Sequence, residues 1–426
     1  MQSLAGVILS RQDGECQGVE PGSLLKMTMV CHDVPFPANH GARVDMWRRI
    51  KAFRRLGVEL QLICWGDGWD EETRAELSRV AQQVHVVLFQ GGATAHLLRA
   101  LDLLSYPLEV TSRIMRGQAL RRLSAEVRQF QPDVIWLDGL HGGELATRLS
   151  RDLEVPLVMR SHNIEHLYYR RLLASATGWG KLRRQLSLLH LEQFERSVLG
   201  QSAVFYDISM DDLNFWQSQG FKQGRYLPPL VDFALEPEVD SQPDYDVVFL
   251  GNLCSDNNVA GVTWFVNEVM PLVQAQLPDV RVLIAGSNPV RKILELCEHQ
   301  SGIELRVNPT DAAAVYRSGR VLINPVKAGS GVSIKSIEML AAGRSIVSTA
   351  QGTAGLPDCV KPYFKIAIEA QSFASEIIQL VSASSPPPMM PPDQLEALFG
   401  ERAIATVLEE VRALVRLDRS QERKQP

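Results

Sequence analysis

The sequence predicts an α/β protein of two doubly wound domains, and three observations carry that reading. Its 426 residues are two or more times the usual single-domain size of roughly 100 to 200 residues. Short β-rich apolar runs alternate with longer helical patterns from residue 25 onward, as parallel sheets built from βαβ units require. A stretch with four prolines and no sustained period, Leu227 to Asp244, separates two such series. A composition of 45% hydrophobic and 22% charged residues supplies sizeable cores and excludes wholesale disorder.

Residues 1–24 lack a basic region ahead of their short apolar stretch and read as an N-terminal extension rather than a secretion signal. In the first domain, 25–235, strands are expected at Met27–Cys31, Leu60–Cys64, Val84–Phe89, Val134–Leu137, Leu157–Arg160 and Ala203–Tyr206. Between the first two, VDMWRRIKAFRRLG places Val44, Trp47, Ile50 and Leu56 at helical spacing before a Gly57 stop. In the second, 236–383, they are expected at Val247–Leu250, Val282–Ala285, Ile303–Val307, Val321–Asn324 and Ile346–Ser348, with a helix over Val259–Gln274. Residues 384–426 read as a proline-rich bridge, SSPPPMMPP, and a helix over Leu395–Leu417 that would suit a return to the first domain; a disordered insertion is the competing reading of the bridge.

Lys and Arg total 44 against 49 Asp and Glu, so the net charge of −5 gives no reason to expect nucleic acid as a partner. The six cysteines form no CxxC pair, and Cys31 and Cys64 lie in apolar strand-like runs, which favours buried thiols and a cytoplasmic setting. No apolar run reaches the roughly 18 to 20 residues of a membrane helix. Arg113, Arg116, Arg121, Arg122 and Arg128, and then Lys181, Arg183 and Arg184, are interleaved with Leu and Ile. That pattern fits a peripheral contact with the inner face of a membrane, and equally a solvated helix face.

The chemistry concentrates in Asn324–Gly355, NPVKAGSGVSIKSIEMLAAGRSIVSTAQGTAG. A strand runs into a loop of Gly329, Ser330 and Gly331, then a helix over about Ser333–Ala342, a Gly343 stop, a further strand and a second small-residue loop. Glycines let the backbone approach a ligand, and the following helix N-terminus offers free N–H groups to a phosphate. Lys335 in the first turn opposes the helix dipole unless an anion compensates it. Glu338, three residues on along the same face, suits the vicinal hydroxyls of a ribose.

Together with GNLCSDNNVAGVTWFVNEVMPLV, VRVLIAGSNP and PLVMRSHNIEHLYYRR, this stretch resembles the retaining glycosyltransferases of the GT-B fold, family 4 (group 1), of the bacterial polysaccharide and glycoconjugate type. The resemblance spans about residues 25 to 380. It implies two Rossmann-like domains across a central cleft, the first facing the acceptor and the second holding a nucleotide-sugar. Glu338 matches the second glutamate of the family's E-x7-E motif, and Ser330 stands where many members carry the first. His162 matches the histidine expected near the anomeric carbon or the donor's 6-hydroxyl. Gly41, in PANHGARVD, matches a glycine-rich loop after the first strand, with one glycine left of the usual pair. The family's Arg and Lys for the diphosphate are missing from NLCSDNN, which leaves Lys335 as the available counter-charge. The expected site is therefore His162 and Lys335 as catalytic residues, with Gly41, Val307, Gly329, Ser330, Gly331, Lys335 and Glu338 on the nucleotide-sugar.

No metal or other cofactor is expected. Asp244 and Asp246 spell D-x-D at the linker end and read as a solvated turn. His162 and His166 have zinc-like i, i+4 spacing around Glu165 but lack a third ligand and the HExxH order. Tyr168 and Tyr169 read as packing. The expected reaction is glycosyl transfer with retention of configuration to a saccharide, lipid-linked or other acceptor. A nucleotide-sugar epimerase of the same fold and a non-catalytic scaffold in polysaccharide assembly are the rival readings.

Overall fold

The computed structural model describes residues 24–38, 41–231, 243–329, 331–383 and 388–422. Ser330, His40, most of the N-terminal extension, most of the expected linker and the SSPP start of the bridge lie outside them.

The first sheet holds seven strands: β1 (Lys26–Cys31), β2 (Glu59–Gly66), β3 (Gln83–Leu88), β4 (Val134–Asp138), β5 (Leu157–Ser161), β6 (Val204–Asp207) and β7 (Gly224–Tyr226). All pair in parallel, in the order 3-2-1-4-5-6-7. The second sheet contains β8 (Tyr245–Asn252), β9 (Val282–Ser287), β10 (Ile303–Val307), β11 (Gly319–Asn324), β12 (Ser345–Ser348) and β13 (Lys365–Ile366), in the order 10-9-8-11-12-13 and again parallel throughout. Both are the doubly wound arrangement, so strand order reverses between β1 and β4 and between β8 and β11. At such a switch point adjacent connections leave to opposite faces and open a crevice at the carboxyl ends of the strands. Every strand expected from the sequence is present. The two additions, β7 and β13, are too short for their residues to show a period.

Parallel strands covered on both faces need continuous apolar runs, and β1, β2 and β4 are buried along almost their whole length. Lys26 and Glu59 stand half-buried at the amino ends of β1 and β2, whereas the charges at the carboxyl edge are fully buried. Register sets Cys31 beside Asp138 and Asp138 beside Arg160 at the carboxyl ends of β1, β4 and β5. The helix Gly41–Arg55 packs on this sheet through Met46, Ile50 and Phe53.

The C-terminal segment is two helices, Pro392–Phe399 and Glu401–Glu422, where one was expected, with Gly400 ending the first. Leu395 and Phe399 join the core of the second domain. Ile404, Leu408 and Val411 instead enter that of the first, alongside Met27, Phe53 and Trp136. The bend at Gly400 lets one short segment serve two cores, and Tyr206 fixes the long helix by donating to Glu410 Oε2 at 2.7 Å. The face this helix covers would otherwise expose the inner side of the Gly41–Arg55 helix.

Candidate active site

The carboxyl edge of the first sheet holds a buried ionic network. Arg49 donates through Nη1 to Asp45 Oδ2 at 2.8 Å and through Nη2 to Asp138 Oδ2 at 2.5 Å. Arg160 reaches the same Asp45 oxygen at 3.3 Å and donates to the Leu227 carbonyl. His162 Nε2 lies 2.8 Å from Asp138 Oδ1; an ionised carboxylate can only accept, so that nitrogen carries the hydrogen. Burial pushes the Asp138 carboxyl up, but Arg49 and the His162 hydrogen bond outweigh it and hold the group well below the usual carboxylate range. His32 packs edge-on to the His162 ring at 5.8 Å, and burial beside it lowers His32 to about 4, leaving it neutral.

Among the described residues, His32, Asp138 and His162 form the grouping whose ligand atoms approach within 4.8 Å. Both Asp138 oxygens are already engaged, one by a guanidinium, so a cation entering there would meet Arg49 at close range. The other metal candidates fall apart: His166 turns to Glu195, 2.6 Å from Nδ1, and Asp246 Oδ2 accepts the Arg281 N–H at 2.9 Å as part of a strand end.

Across the switch-point crevice lies a cleft of about 680 Å³. Its second-domain wall includes Asn257, Asn258, Gly329, Gly331, Ser333, Lys335 and Gly352. Lys335 follows the first residue of the helix Ile334–Ala341, where Ser333 is the N-cap. Its Nζ donates to Asn258 and lies 4.9 Å above the Phe249 ring. Burial lowers its pKa to about 7, with Glu338 opposing the shift. Gly331 has φ +70°, and a Cβ there would come within 3.1 Å of Asn163 Oδ1, so glycine is what lets this loop approach the first domain beside His162.

Glu338 faces the opposite domain. Its Oε1 accepts from Arg48 Nη2 at 2.7 Å and its Oε2 from the Tyr316 hydroxyl at 3.2 Å. Arg48 also donates to the Leu230 carbonyl at 2.9 Å, which fixes the guanidinium between the two domains. Gly41 opens the same helix as Arg48, and a Cβ on it would meet Ile334 Cδ1 at 3.5 Å. The second small-residue loop also touches the first domain: Gly355 N–H donates to Asp211 Oδ2 at 2.9 Å. Thus Gly41, His162, Gly329, Gly331, Lys335 and Glu338 all lie along the junction of the two domains. Val307 does not line the cleft; it ends the edge strand β10 with 44% of its surface exposed.

Sequence reasoning passed over Asp45, Arg48, Arg49, Asp138 and Arg160. Asp138 and Arg160 had a signal, a charge inside an apolar parallel strand. Arg48 and Arg49 had none, because a dibasic pair on a helix usually faces water. Tyr168 and Tyr169 pack on the first-domain core as read, and Tyr168 also lines the cleft with Arg171 and Leu172.

Two doubly wound sheets with a cleft where the two domains meet define the two-domain GT-B architecture. Residues 40–211 match the family model described as glycosyl transferase 4-like domain, and residues 244–383 match that described as glycosyl transferases group 1. The two matches lie one on each of the two domains. A Klebsiella pneumoniae relative, an uncharacterized 44.6 kDa protein in the cps region, is 26% identical over 368 residues, covering 83% of this chain and 90% of its own. Sucrose-phosphate synthase from Thermosynechococcus elongatus superposes with a TM-score of 0.63 at 14% identity, over 91% of this chain and 98% of its own. HepE of Anabaena, in complex with UDP, gives 0.60 at 13% identity, over 92% and 100%. The structural likenesses show the shared fold.

Removing the cation from the network should leave Asp45 and Asp138 buried without their main partner. Arg49→Leu is expected to cost about 3 to 5 kcal/mol of stability at neutral pH in urea unfolding. The variant's carboxyls would then titrate above their unfolded values, so the folded form takes up protons first and the deficit should shrink as pH falls toward about 4. A loss below about 1 kcal/mol, in the range of a surface pair, would show that Arg49 does not neutralise the network.

Proposed function

We propose that the protein transfers a glycosyl residue from a nucleotide-sugar to a saccharide, lipid-linked or other glycoconjugate acceptor, with retention of configuration and without a metal ion. The observation that carries this is the cleft between two glycosyltransferase family domains, where a glycine loop, a helix N-terminus and Lys335 converge. The comparisons do not favour the epimerase or scaffold readings. HepE of Anabaena was crystallised with UDP, which supports a nucleoside diphosphate leaving group here.

In this reading the diphosphate lies against Gly329, Gly331 and the start of the Ile334–Ala341 helix. The bond from the anomeric carbon to the diphosphate oxygen breaks, the acceptor oxygen bonds to that carbon on the same face, and the acceptor's proton passes to the departing diphosphate. Lys335 and the loop N–H groups stabilise the charge that develops on the leaving oxygen. Glu338, oriented by Arg48 and Tyr316, accepts from the ribose hydroxyls. His162, held by Asp138 in one orientation, faces the sugar from the other domain.

A lipid-linked acceptor would also require a surface for anionic lipid. The helix Gly178–Leu188 exposes Trp179 (87%), Leu182 and Leu186 next to Lys181, Arg183 and Arg184, an amphipathic composition suited to an interface. Arg113 and Arg116 do not belong to this surface: Arg113 donates to the His32 carbonyl at 2.9 Å and Arg116 to Asp102. Sedimentation with phosphatidylglycerol vesicles should carry the protein down, and Trp179→Ser combined with Arg183→Glu should release it. Equal sedimentation of both forms would reject the surface.

The decisive measurement for transfer is a binding screen against UDP, GDP, ADP and TDP and their sugars, followed by assay of the best donor. Glu338→Ala should weaken the preferred nucleotide by about 2 to 4 kcal/mol, the range for lost hydrogen bonds to a charged group. An unchanged affinity would remove the ribose assignment. Activity should survive EDTA, and the product's anomeric proton should show the donor's configuration; inversion, or a metal requirement, would overturn those parts of the reading.

Lys335 gives the pH dependence. An amine with a pKa of about 7 in the empty cleft must be protonated to pair with a diphosphate, so its pKa rises on binding. Affinity for a nucleotide-sugar, whose own phosphates do not titrate in this range, should be level below about pH 7 and fall as pH rises above it. Calorimetry at pH 8 in buffers of different ionisation enthalpy should register proton uptake on binding. Lys335→Met should abolish it; uptake that persists in the variant assigns the proton to another group.

A further inference from the structure

We infer that Arg171, from the first domain, supplies the second cation of the diphosphate site. This rests on the nucleotide-sugar reading and names a phosphate ligand from the domain opposite the nucleotide. A nucleotide-sugar brings two negative charges to the cleft. On the second-domain wall Lys335 is the cation, and its pKa of about 7 leaves it partly neutral when the cleft is empty. The loop after β8 contributes Ser255, Asp256, Asn257 and Asn258 to that wall, polar groups and one further negative charge. Lys327 is directed elsewhere, its Nζ 3.7 Å over the Trp264 ring.

The facing wall is one side of the helix Glu165–Ser175. Tyr168, Arg171 and Leu172 recur at the three- and four-residue spacing of a single face, and all three line the cleft. Arg171 is exposed there, and its hydrogen bond is a long one, Nε to the Leu167 carbonyl of its own helix at 3.4 Å. Arg170, one residue earlier and on another face, is paired with Glu192 at 2.8 Å. Arg171 also acts on Asp212, whose pKa burial raises to about 6 while a backbone hydrogen bond from Ile164 and then Arg171 lower it. A guanidinium with this little structural commitment, on a stem long enough to cross part of the cleft, can offer a planar two-point contact to phosphate oxygens. Because Arg171 and His162 belong to the same β5 connection and Lys335 to the other domain, a diphosphate held by both cations would also hold the domains together over the sugar.

The test uses the full chain and the nucleoside diphosphate that binds best among UDP, GDP, ADP and TDP, with its parent nucleoside as the phosphate-free control. Arg171→Ala should lower diphosphate affinity about tenfold or more, equivalent to about 1.4 kcal/mol. Nucleoside affinity and the unliganded melting temperature should stay unchanged, and Arg171→Lys should recover part of the loss, since it restores charge without the fork. Diphosphate affinity within about twofold of the parent protein, while Glu338→Ala still loses binding, would overturn the Arg171 assignment and leave the functional reading standing. Equal losses for diphosphate and nucleoside would also overturn it, because the side chain would then be shaping the cleft and not meeting phosphate. If none of the four diphosphates binds the parent protein, the nucleotide-sugar reading fails and takes this inference with it.

Discussion

The charge of Asp138 has to be neutralised inside the protein, and much of the junction follows from how that is done. The residue ends β4, fully buried, where an unpaired carboxylate would cost several kcal/mol. Arg49 supplies the cation from the helix Gly41–Arg55 and so fixes the rotation of that helix about its axis. Successive helical residues point about 100° apart, so once Arg49 is turned inward Arg48 is turned toward the second domain. There it meets Glu338. The same carboxylate orients His162 through its other oxygen. One buried charge thus sets the attitude of a histidine on one side of the junction and of an inter-domain ion pair on the other.

A second constraint is mechanical. Two sheets whose strand orders match apart from the additional β7 present their switch points to one another, yet doubly wound domains have no inherent reason to stay face to face. The chain solves this at its C-terminal end, where Leu395 and Phe399 are committed to the second core and Ile404, Leu408 and Val411 to the first. Separating the domains would require one of these apolar sets to leave its core, at roughly 1.5 to 3 kcal/mol for each large side chain exposed. The polar contacts within the junction, Arg48 to Glu338 and Gly355 to Asp211, are weaker individually and exchangeable with water. Small movements about the junction are therefore compatible with a permanently joined pair.

The fold was legible because central parallel strands buried on both faces must be written as apolar runs such as VVFL, VIWL and LVMR, and the half-exposed edge strands β3 and β10 still carry a β-rich pattern. β7 and β13 escaped because three and two residues carry no period, and the break at Gly400 escaped because the apolar spacing continues through it. The loop from Gly329 to the helix of Lys335 and Glu338 was legible for a chemical reason: glycine, lysine and glutamate at those spacings are an odd choice for mere packing. The partners of these residues were not. Asn258, Arg48 and Tyr316 stand 77, 290 and 22 residues away from the groups they bind, and no local pattern encodes a contact of that kind. Asp138 and Arg160 could have been suspected, since a charge in a buried strand needs a partner, but the identity of that partner is a fact of tertiary structure.

The two ends of the junction handle charge differently, and the difference bears on function. Around Asp138 two carboxylates, Asp45 and Asp138, face two guanidiniums, Arg49 and Arg160, so this region has no net attraction for an ion. Around Lys335 the balance is incomplete: Glu338 is already shared with Arg48, and the amine has Asn258 and the Phe249 ring for company. Burial disfavours the ammonium and lowers its pKa to about 7. An amine in that state is a cation held in reserve, because an arriving dianion supplies the field that restores its proton. On the proposed reading, Lys335 would sit in a partly apolar wall without an ion beside it and take on a full positive charge once a diphosphate is bound.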